Sequence, residues 1–266
     1  MSRTRISIIT PSLDQARFIE RTIESVLSQE GEFDLEYLVV DGQSTDGTLD
    51  ILRNAQGRLR FTSEPDRGQA DAINKGLRAA SGDVLAWLNS DDVLLPGALD
   101  RVARTFAADR RAQWLHSSCE IIDEGGRPIR RWIGRYKDWR SRRYSYRSLL
   151  GENFISQMTV FWRREAMQAA GLLDDSLHFA FDYDFWLRLG RLGDPIYLRE
   201  KLAAFRWYET SKSGATFSKQ FAEDYQVFLR HAPPDPFLRL RKRLWNGQIV
   251  SVYRLMAALR ATRGDA

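Results

Sequence analysis

Cysteine and histidine are scarce in this chain of 266 residues, and their scarcity excludes several kinds of site. Cys119 is the one cysteine, so an intramolecular disulfide framework is excluded and a reducing cytoplasm is the expected location. The three histidines are scattered, without the short spacing of a zinc site. No apolar run approaches the ~20 residues that cross a bilayer, and the first residues, MSRTRISIIT, lack the apolar core of a signal peptide.

The charge of the chain is modestly positive, with a formal net charge of +5 and arginine strongly favoured over lysine. A basic surplus suits nucleic acid, anionic lipid or phosphorylated ligands. The sequence contains no zinc-finger, RNP or basic-zipper pattern, so we expect no nucleic acid partner.

Residues 81–96, SGDVLAWLNSDDVLLP, contain the most informative polar cluster. The apolar residues 84–88 predict a buried strand of a parallel sheet, and such sheets bind ligands beyond the carboxyl ends of their strands. Asp91 and Asp92 follow that strand, and two adjacent carboxylates repel each other unless a cation or hydrogen-bond donors neutralise them. The pair predicts either a magnesium or manganese site or the N-terminal cap of a helix that begins near Pro96.

Strand-like and helix-like segments alternate four times in the first part of the chain. The predicted strands cover residues 5–10, 35–41, 59–63 and 84–88, and the predicted helices follow them at 18–27, 48–52, 69–80 and 99–106. This alternation predicts a doubly wound parallel sheet.

The pattern changes after residue 113. Residues 114–123 and 128–136 predict a hairpin around Glu124-Gly125-Gly126, and the arginine-rich residues 137–146 predict a loop over a site. A strand at 158–163, a helix that ends at Gly171 and a helix at 181–192 come next. Two edge strands, at 195–198 and 203–208, and a basic amphipathic helix at 237–263 complete the prediction.

Four segments together make the chain resemble family 2 glycosyltransferases over residues 5–215. They are ITPSLDQARFIERTIESVLSQ, LEYLVVDGQSTDGTLDIL, SEPDRGQADAINKGLRAASGDVLAWLNSDDVLLPGAL, and FDYDFWLRLGRLG followed by LAAFRWYETSKS. The resemblance implies an α/β protein of the GT-A type, with a parallel or mixed sheet flanked by helices. It further implies a nucleotide-sugar lobe at 1–118, a smaller acceptor lobe at 119–208, and a closing loop with C-terminal helices at 209–266.

The activity that the resemblance implies is inverting transfer of a sugar from a nucleoside diphosphate sugar, with a UDP-sugar favoured. The acceptor would be the hydroxyl of a carbohydrate or lipid-linked molecule in cell-surface polysaccharide or glycolipid assembly. The Q-x-x-R-W signature of processive synthases is missing, which favours a single transfer to each acceptor.

The resemblance also implies the residues that bind the donor: Thr10, Pro11, Asp41, Arg67, Asp71, Asn89, Ser90 and Asp91. Asp41 would accept the imide N–H of a uracil-like base, although Asp-Gly alone also favours a turn. Asp71 and Lys75 lie four residues apart on a predicted helix, so a surface ion pair is the alternative, and for Lys75 it is the favoured one.

Asn89-Ser90-Asp91 occupies the place of the family's D-x-D motif, so Asp91 is expected to hold a Mn²⁺ or Mg²⁺ ion that bridges both phosphates. Asn89 replaces the first Asp of that motif and adds no charge. For Asp92 we favour the helix cap over a role behind the metal ligand. Tyr208 stands where many members have a metal-binding histidine, and a phenol is a poor cation ligand at neutral pH. Glu209 is an alternative ligand, and Lys212 is expected on a loop that closes over the diphosphate.

Asp182 matches the second residue of the family's E-D motif and is the expected general base. Phe181 replaces the Glu of that motif. Backbone N–H groups at a helix start are expected to keep Asp182 ionised, and the alternative role for it is an N-terminal cap. Asp184 is the competing acid, on another face of the same helix.

Three other functions compete with glycosyl transfer. Asn89, Phe181 and Tyr208 all depart from the commonest family residues, so a degenerate, non-catalytic nucleotide-sugar-binding protein is the alternative. An NAD-dependent Rossmann enzyme and a nucleotidyltransferase each require a glycine-rich loop near the first strand, and this chain has Thr-Pro-Ser-Leu-Asp there.

The basic residues of the C-terminal segment alternate with apolar ones. This arrangement suits an anionic membrane surface, which would make the protein peripheral to the inner face of a membrane. A helix packed on the protein's own core, or a homodimer contact, is the favoured alternative.

Overall fold

The computed structural model describes residues 3–208 and 217–263, with side chains for 3–208 and 219–249. The first half alternates strands and helices as the sequence predicted: β1 (Thr4–Ser12), α1 (Ile19–Leu27), β2 (Phe33–Asp41), α2 (Thr48–Asn54), β3 (Arg60–Ser63), α3 (Gln69–Ala79), β4 (Val84–Trp87), and, after the short β5 (Val93–Leu94), α4 (Ala98–Ala108). β1 pairs in parallel with β2 and β4, and β2 pairs in parallel with β3.

The second half adds three strands to the same sheet. Its elements are β6 (Trp114–Ile122), α5 (Arg131–Ser141), α6 (Tyr146–Gly151), β7 (Phe161–Arg163), α7 (Arg164–Ala170), α8 (Phe181–Gly190), β8 (Ile196–Arg206), α9 (Phe217–His231) and α10 (Pro236–Arg263). The strand order is β3-β2-β1-β4-β7-β6-β8-β5, with β7 antiparallel to both of its neighbours. This mixed sheet with flanking helices confirms the predicted GT-A type of fold. The expected lobe boundary at residue 118 falls within β6, so the division into lobes stays a proposal.

The second strand of the predicted hairpin, at 128–136, is absent, and so is most of the loop predicted at 137–146. A helix, α5, forms at 131–141 instead. β6 is present, but Pro128 makes only a single bridge to Ile122 before α5 begins at Arg131. The β-branched and aromatic residues of this stretch favoured a strand locally, yet α5 packs against β6, with Gly134 close to the Cys119 carbonyl. Tertiary packing therefore decided the conformation.

The two predicted edge strands are one continuous strand, β8, which lies between β6 and β5. The register shifts opposite Ser117 and Ser118, so Leu198 pairs with Ser117 and Lys201 with Ser118. The polar residues 199–201 are exposed at this bulge, and they interrupted the apolar pattern in the sequence. The strand predicted at 158–163 is limited to β7, because residues 157–159 form a 3₁₀ turn.

The predicted C-terminal helix is confirmed as α10, whereas α9 lies in the region expected to hold C-terminal helices but had no predicted bounds. Among residues 3–208 and 217–263, none of the helices combines the length and the apolar character needed to cross a membrane.

Four buried tryptophans pack the two halves of the sheet against α8. Trp87 of β4 stacks on Trp186 of α8 with ring centroids 5.2 Å apart, and Trp114 stacks on the same indole at 6.3 Å. Trp162 of β7 meets Trp87 edge-on at 5.5 Å. Because aromatic side chains bury a large area and prefer particular ring geometries, this cluster fixes the position of α8 relative to β4.

Candidate active site

Residues 89–92 form the loop that follows β4, and buried groups from α1 and β8 hold it. The Thr22 hydroxyl of α1 lies 2.9 Å from the Ser90 carbonyl oxygen and 2.7 Å from that of Asp92. Asp92 is fully buried, and its Oδ1 accepts the Arg206 backbone N–H at 2.9 Å. The Arg206 side chain in turn donates Nε–H to the Asp91 carbonyl oxygen at 2.9 Å.

The favoured helix-cap role for Asp92 is therefore wrong. The residue that precedes α4 is Gly97, and Asp92 instead anchors β8 to the loop. Burial, with the neighbouring Asp91 carboxylate, raises the pKa of Asp92 well above its usual value. Its neighbour Asn89 donates Nδ2–H to Asp92 and accepts Nε2–H from Gln69 at 2.8 Å.

Asp91 turns its carboxylate toward a cavity of about 450 Å³. Its Oδ2 accepts the Tyr208 hydroxyl hydrogen at 2.9 Å, and the Tyr208 ring packs on Phe18 with centroids 5.0 Å apart. Burial first, and then the Asp91 charge, raises the pKa of Tyr208 above its ordinary value. The phenol therefore stays protonated and acts as a hydrogen-bond donor.

Within the described residues, Asp91 is the one expected cation ligand at this site, so cation binding there would depend on further ligands. In the part of the chain that the structure describes, no group of three or more His, Cys, Asp or Glu side chains is placed to hold a metal ion. Mg²⁺ is commonly held by one or two carboxylates together with substrate phosphates and water. Asp91 fits that kind of cation, one that arrives with a diphosphate.

Asp182 lies at the first turn of α8 and lines the same cavity as Asp91. Its Oδ1 accepts the Tyr183 backbone N–H at 2.6 Å, and Asn153 Nδ2 lies 3.5 Å from its Oδ2. Burial raises the pKa of Asp182 to about 6, against the opposing effect of these hydrogen bonds and of the Lys137 charge. The expected backbone hydrogen bond is present, but burial outweighs it.

The competing acid, Asp184, faces elsewhere. Its carboxylate binds Arg188 Nε and His231 Nε2, each at 2.8 Å, and it lines neither of the two cavities described here. Asp184 therefore connects α8 to α9.

A second cavity, of about 260 Å³, meets the first at Asp182. Gln157, Met158, Phe205 and Gln220 are the other residues that line both cavities. Lys137 of α5 lines the second cavity, and its Nζ donates to the Ser156 hydroxyl at 3.3 Å. Asp182 thus lines both cavities, whereas Asp91 lines only the first.

Of the residues expected to bind the donor, Pro11, Asn89, Ser90 and Asp91 line the first cavity. Thr10 is buried with its hydroxyl 3.1 Å from that of Tyr37, and Asp41 is fully buried. The Asp41 carboxylate accepts hydrogen bonds from the Ser44 backbone N–H and hydroxyl and from the Ser63 hydroxyl. These contacts are those of the alternative turn role for Asp41.

Arg67 and Asp71 lie just outside the lining of the first cavity. The Arg67 side chain is 72% exposed and pairs with Asp71 at 3.1 Å and with Asp175 at 2.5 Å. Lys75 Nζ lies 3.9 Å from Asp71 Oδ2, at the outer limit of the predicted ion pair. Its closer contacts are with the Pro65 carbonyl oxygen at 2.6 Å and with Glu64 at 2.9 Å. Glu209 and Lys212 lie outside the described residues.

Two amide side chains of the site were missed at the level of the sequence. Gln69 holds Asn89, and Gln157 donates Nε2–H to the Trp87 carbonyl oxygen at 2.7 Å. Both line the first cavity. The only signal for Gln69 was its place at the start of a predicted helix beside the Asp-Arg-Gly turn.

Comparison with known proteins gives consistent matches. Residues 7–168 match the family model of glycosyl transferase family 2. The putative teichuronic acid biosynthesis glycosyltransferase TuaG of Bacillus subtilis is 30% identical over 213 residues, which are 78% of this chain and 81% of TuaG. The chondroitin synthase of Escherichia coli is 30% identical over 191 residues, which are 71% of this chain but only 27% of that synthase.

Two solved structures share the fold at low sequence identity. The mannosyltransferase PcManGT of Pyrobaculum calidifontis, in complex with GDP-Man and Mn²⁺, superposes with a TM-score of 0.67 at 18% identity, over 99% of this chain and 77% of that one. Residues 1–349 of S. aureus TarS, in complex with UDP, superpose with a TM-score of 0.64 at 16% identity, over 90% of this chain and 68% of that one. With the family match extending over most of the residues that build the cavity, the chain belongs to glycosyltransferase family 2.

Proposed function

We propose that this chain is an inverting glycosyltransferase that moves a sugar from a nucleoside diphosphate sugar to an acceptor hydroxyl, in the assembly of a cell-surface polysaccharide or glycolipid. The observation that carries the proposal is that Asp91 and Asp182 line the same cavity, one at the end of β4 and the other at the start of α8. A diphosphate bound near Asp91 would leave its sugar within the space that Asp182 faces.

The donor would bind along the carboxyl ends of β1 and β4, near Pro11, Asn89, Ser90 and Asp91. TarS has been solved with UDP and with UDP-GlcNAc, and PcManGT with GDP-Man, which supports a nucleotide sugar as donor. We favour a UDP-sugar. Thr10, Asp41, Arg67 and Asp71 would support the donor from behind this edge, through the contacts described above.

Asp91 would hold a Mn²⁺ or Mg²⁺ ion that, when bound, neutralises the charge gained by the departing diphosphate. The Mn²⁺ in the PcManGT complex supports a divalent cation. The residues around Asp91 then have two tasks: Asn89 and Ser90 orient the donor, and Arg206 and Thr22 keep the loop in position. Tyr208 holds one carboxylate oxygen of Asp91 in a fixed direction.

Asp182 would act as the general base. Its carboxylate takes the proton of the acceptor hydroxyl while that oxygen forms a bond to the anomeric carbon. The bond from the anomeric carbon to the phosphate oxygen breaks on the opposite face, and the nucleoside diphosphate leaves with the electron pair. A pKa of about 6 keeps most of Asp182 ionised at neutral pH, yet leaves it basic enough to accept a proton.

The test compares Asp182→Asn with Asp91→Asn. UDP binding with Mn²⁺ is measured by calorimetry, and UDP release from a panel of UDP-sugars is measured with sugar acceptors. We expect Asp182→Asn to bind UDP normally and to lose about 10²–10⁴-fold in transfer, whereas Asp91→Asn should lose UDP binding. Transfer at the wild-type rate by Asp182→Asn would overturn the assignment. UDP binding by the wild-type protein without turnover of any donor would favour the degenerate binding protein.

A further inference from the structure

One side of α10 holds this helix to the rest of the protein. Leu238, Lys242 and Asn246 are buried and follow each other at intervals of four residues. Lys242 Nζ lies 2.6 Å from Asp224 Oδ1 of α9, and Asn246 Nδ2 donates to the same carboxylate at 2.8 Å. These contacts fix the rotation of α10 about its axis, so its other side has a defined direction.

The opposite side of α10 exposes a line of large apolar residues. Phe237 is 73% exposed, Leu240 55% and Leu244 59%. Their spacing of three and four residues puts them on one face of the helix, turned about half a revolution from Leu238 and Lys242. We call Phe237, Leu240 and Leu244 the outer stripe.

Arginines border the outer stripe on both sides. At 100° for each residue, Arg243 borders it on one side and Arg241 on the other, while Arg239 lies farther round on the Arg243 side, and all three are exposed. Between residues 236 and 263 the sequence has no Asp or Glu, and its basic residues there are Arg239, Arg241, Lys242, Arg243, Arg254, Arg260 and Arg263. The surface is therefore apolar along its middle and positive along its edges.

We propose that the outer stripe docks on the surface of an anionic lipid membrane. An apolar line inserts between lipid headgroups while flanking arginines reach their phosphates, which is how interfacial amphipathic helices bind. A second copy of the chain fits poorly, because a symmetric contact would bring two acid-free, positively charged helices together. A nucleic acid would engage the arginines but would leave the apolar line uncovered.

The docking proposal goes beyond sugar transfer and can fail separately from it, since no residue of the stripe lines either cavity. It gives the expected peripheral contact a specific surface. It also agrees with the helix analysis, because a helix that only lies on a membrane does not need the length or apolarity of a membrane span.

The test is sedimentation of the full chain with phosphatidylcholine vesicles, with and without phosphatidylglycerol. We expect sedimentation with the phosphatidylglycerol vesicles only. The variant Phe237→Gln/Leu240→Gln/Leu244→Gln should partition at least about tenfold less, and Arg239→Gln/Arg243→Gln should also lose binding. Leu192→Gln, an exposed apolar residue after α8, is the matched control and should bind as the wild type does. UDP binding by the stripe variant should be unchanged, which shows that it is folded.

Three results would overturn the docking proposal. The first is a wild-type protein that stays in the supernatant with anionic vesicles. The second is a stripe variant that sediments as the wild type does, because the attraction is then electrostatic only. The third is a wild-type dimer in sedimentation velocity that the stripe variant converts to a monomer without any vesicle binding, which would assign the stripe to self-association.

Discussion

At the residue scale, the contact between Tyr208 and Asp91 decides which atoms are left for a cation. The phenol hydrogen occupies Asp91 Oδ2, and a phenol with a raised pKa offers no anionic oxygen of its own. Of the described residues, Asp91 alone would then serve the cation proposed at this position, through its remaining lone pairs, together with the diphosphate and water. Its affinity in the absence of a donor should be low.

We expect Tyr208→His to raise the affinity for Mn²⁺ in the presence of UDP by about tenfold, or about 1.4 kcal/mol, because a neutral imidazole is a metal ligand and a phenol is not. Calorimetric titration of Mn²⁺ into the UDP complex measures the change. Tyr208→Phe is the control, since it removes the hydroxyl without supplying a ligand. Equal Mn²⁺ affinities for the His and Phe variants would show that this side chain does not reach the cation.

Lys137 of α5 carries a positive charge that opposes the effect of burial on the pKa of Asp182. Burial raises the pKa of Asp182 to about 6 and the Asp224 charge adds to that rise, whereas the Tyr183 N–H, Asn153 and Lys137 lower it. A base with a raised folded-state pKa loses activity as pH falls through that value. Removing the Lys137 charge should raise the pKa further.

We therefore expect Lys137→Met to shift the acid limb of the pH profile of kcat/KM to a higher pH than the wild-type limb near pH 6. Lys137→Arg should keep the limb in place because it keeps the charge. Arg143→Met, an exposed residue just after α5, controls for a general loss of positive charge. An unshifted limb in Lys137→Met, with a change in KM alone, would mean that Lys137 binds acceptor rather than tuning the base.

At the element scale, a helix or strand could be predicted from the sequence where its apolar residues recur at regular spacing. The elements from β1 to α4, apart from the short β5, could be predicted because α1, α3 and α4 each bury an apolar stripe. α5 could not, since its inward residues Ile133, Gly134, Lys137 and Ser141 form no apolar stripe. Asp91 stood out as an acid that follows a predicted strand, whereas Asp182 was identified through its match to the family's E-D motif. Gln69 and Gln157 were missed because a single uncharged amide forms no recognisable sequence motif. Its role becomes visible only when the structure shows its hydrogen-bond partner.

Helix α1 supports the 89–92 loop through one hydroxyl. We expect Thr22→Val, which keeps the shape and removes that hydroxyl, to lower the free energy of unfolding by about 1–3 kcal/mol, because the buried Ser90 and Asp92 carbonyls lose a donor. Urea denaturation measures the loss. Thr22→Ser retains the hydroxyl and should recover most of the stability. Wild-type stability in Thr22→Val would mean that the loop is held by Arg206 alone.

At the scale of the whole molecule, two buried titratable groups, Asp182 and His116, change the free energy of unfolding in opposite directions as pH falls. Asp182, whose folded-state pKa lies above that of an unfolded aspartate, binds a proton more readily when folded and so adds stability as pH falls. His116 on β6 is fully buried, and neither of its ring nitrogens has a hydrogen-bond partner within the described chain. Burial lowers the pKa of His116 to about 3. The measured pH dependence of stability is the sum of such opposing contributions.

The His116 contribution can be isolated as the difference between a variant and the wild type. An unfolded histidine titrates near pH 6.5, so between that pH and about 3 only the unfolded chain gains the proton, and stability falls by roughly 1 kcal/mol for each pH unit. We expect His116→Leu to remove this fall, so that its free energy of unfolding drops less than the wild-type value between pH 7 and pH 5. Urea denaturation at the two pH values measures both. His178→Leu, at an exposed position, should keep the wild-type dependence. If His116→Leu and the wild type lose the same stability over this interval, then His116 gains its proton in the folded state. In that case either water enters to contact the ring, or β6 shifts and exposes it.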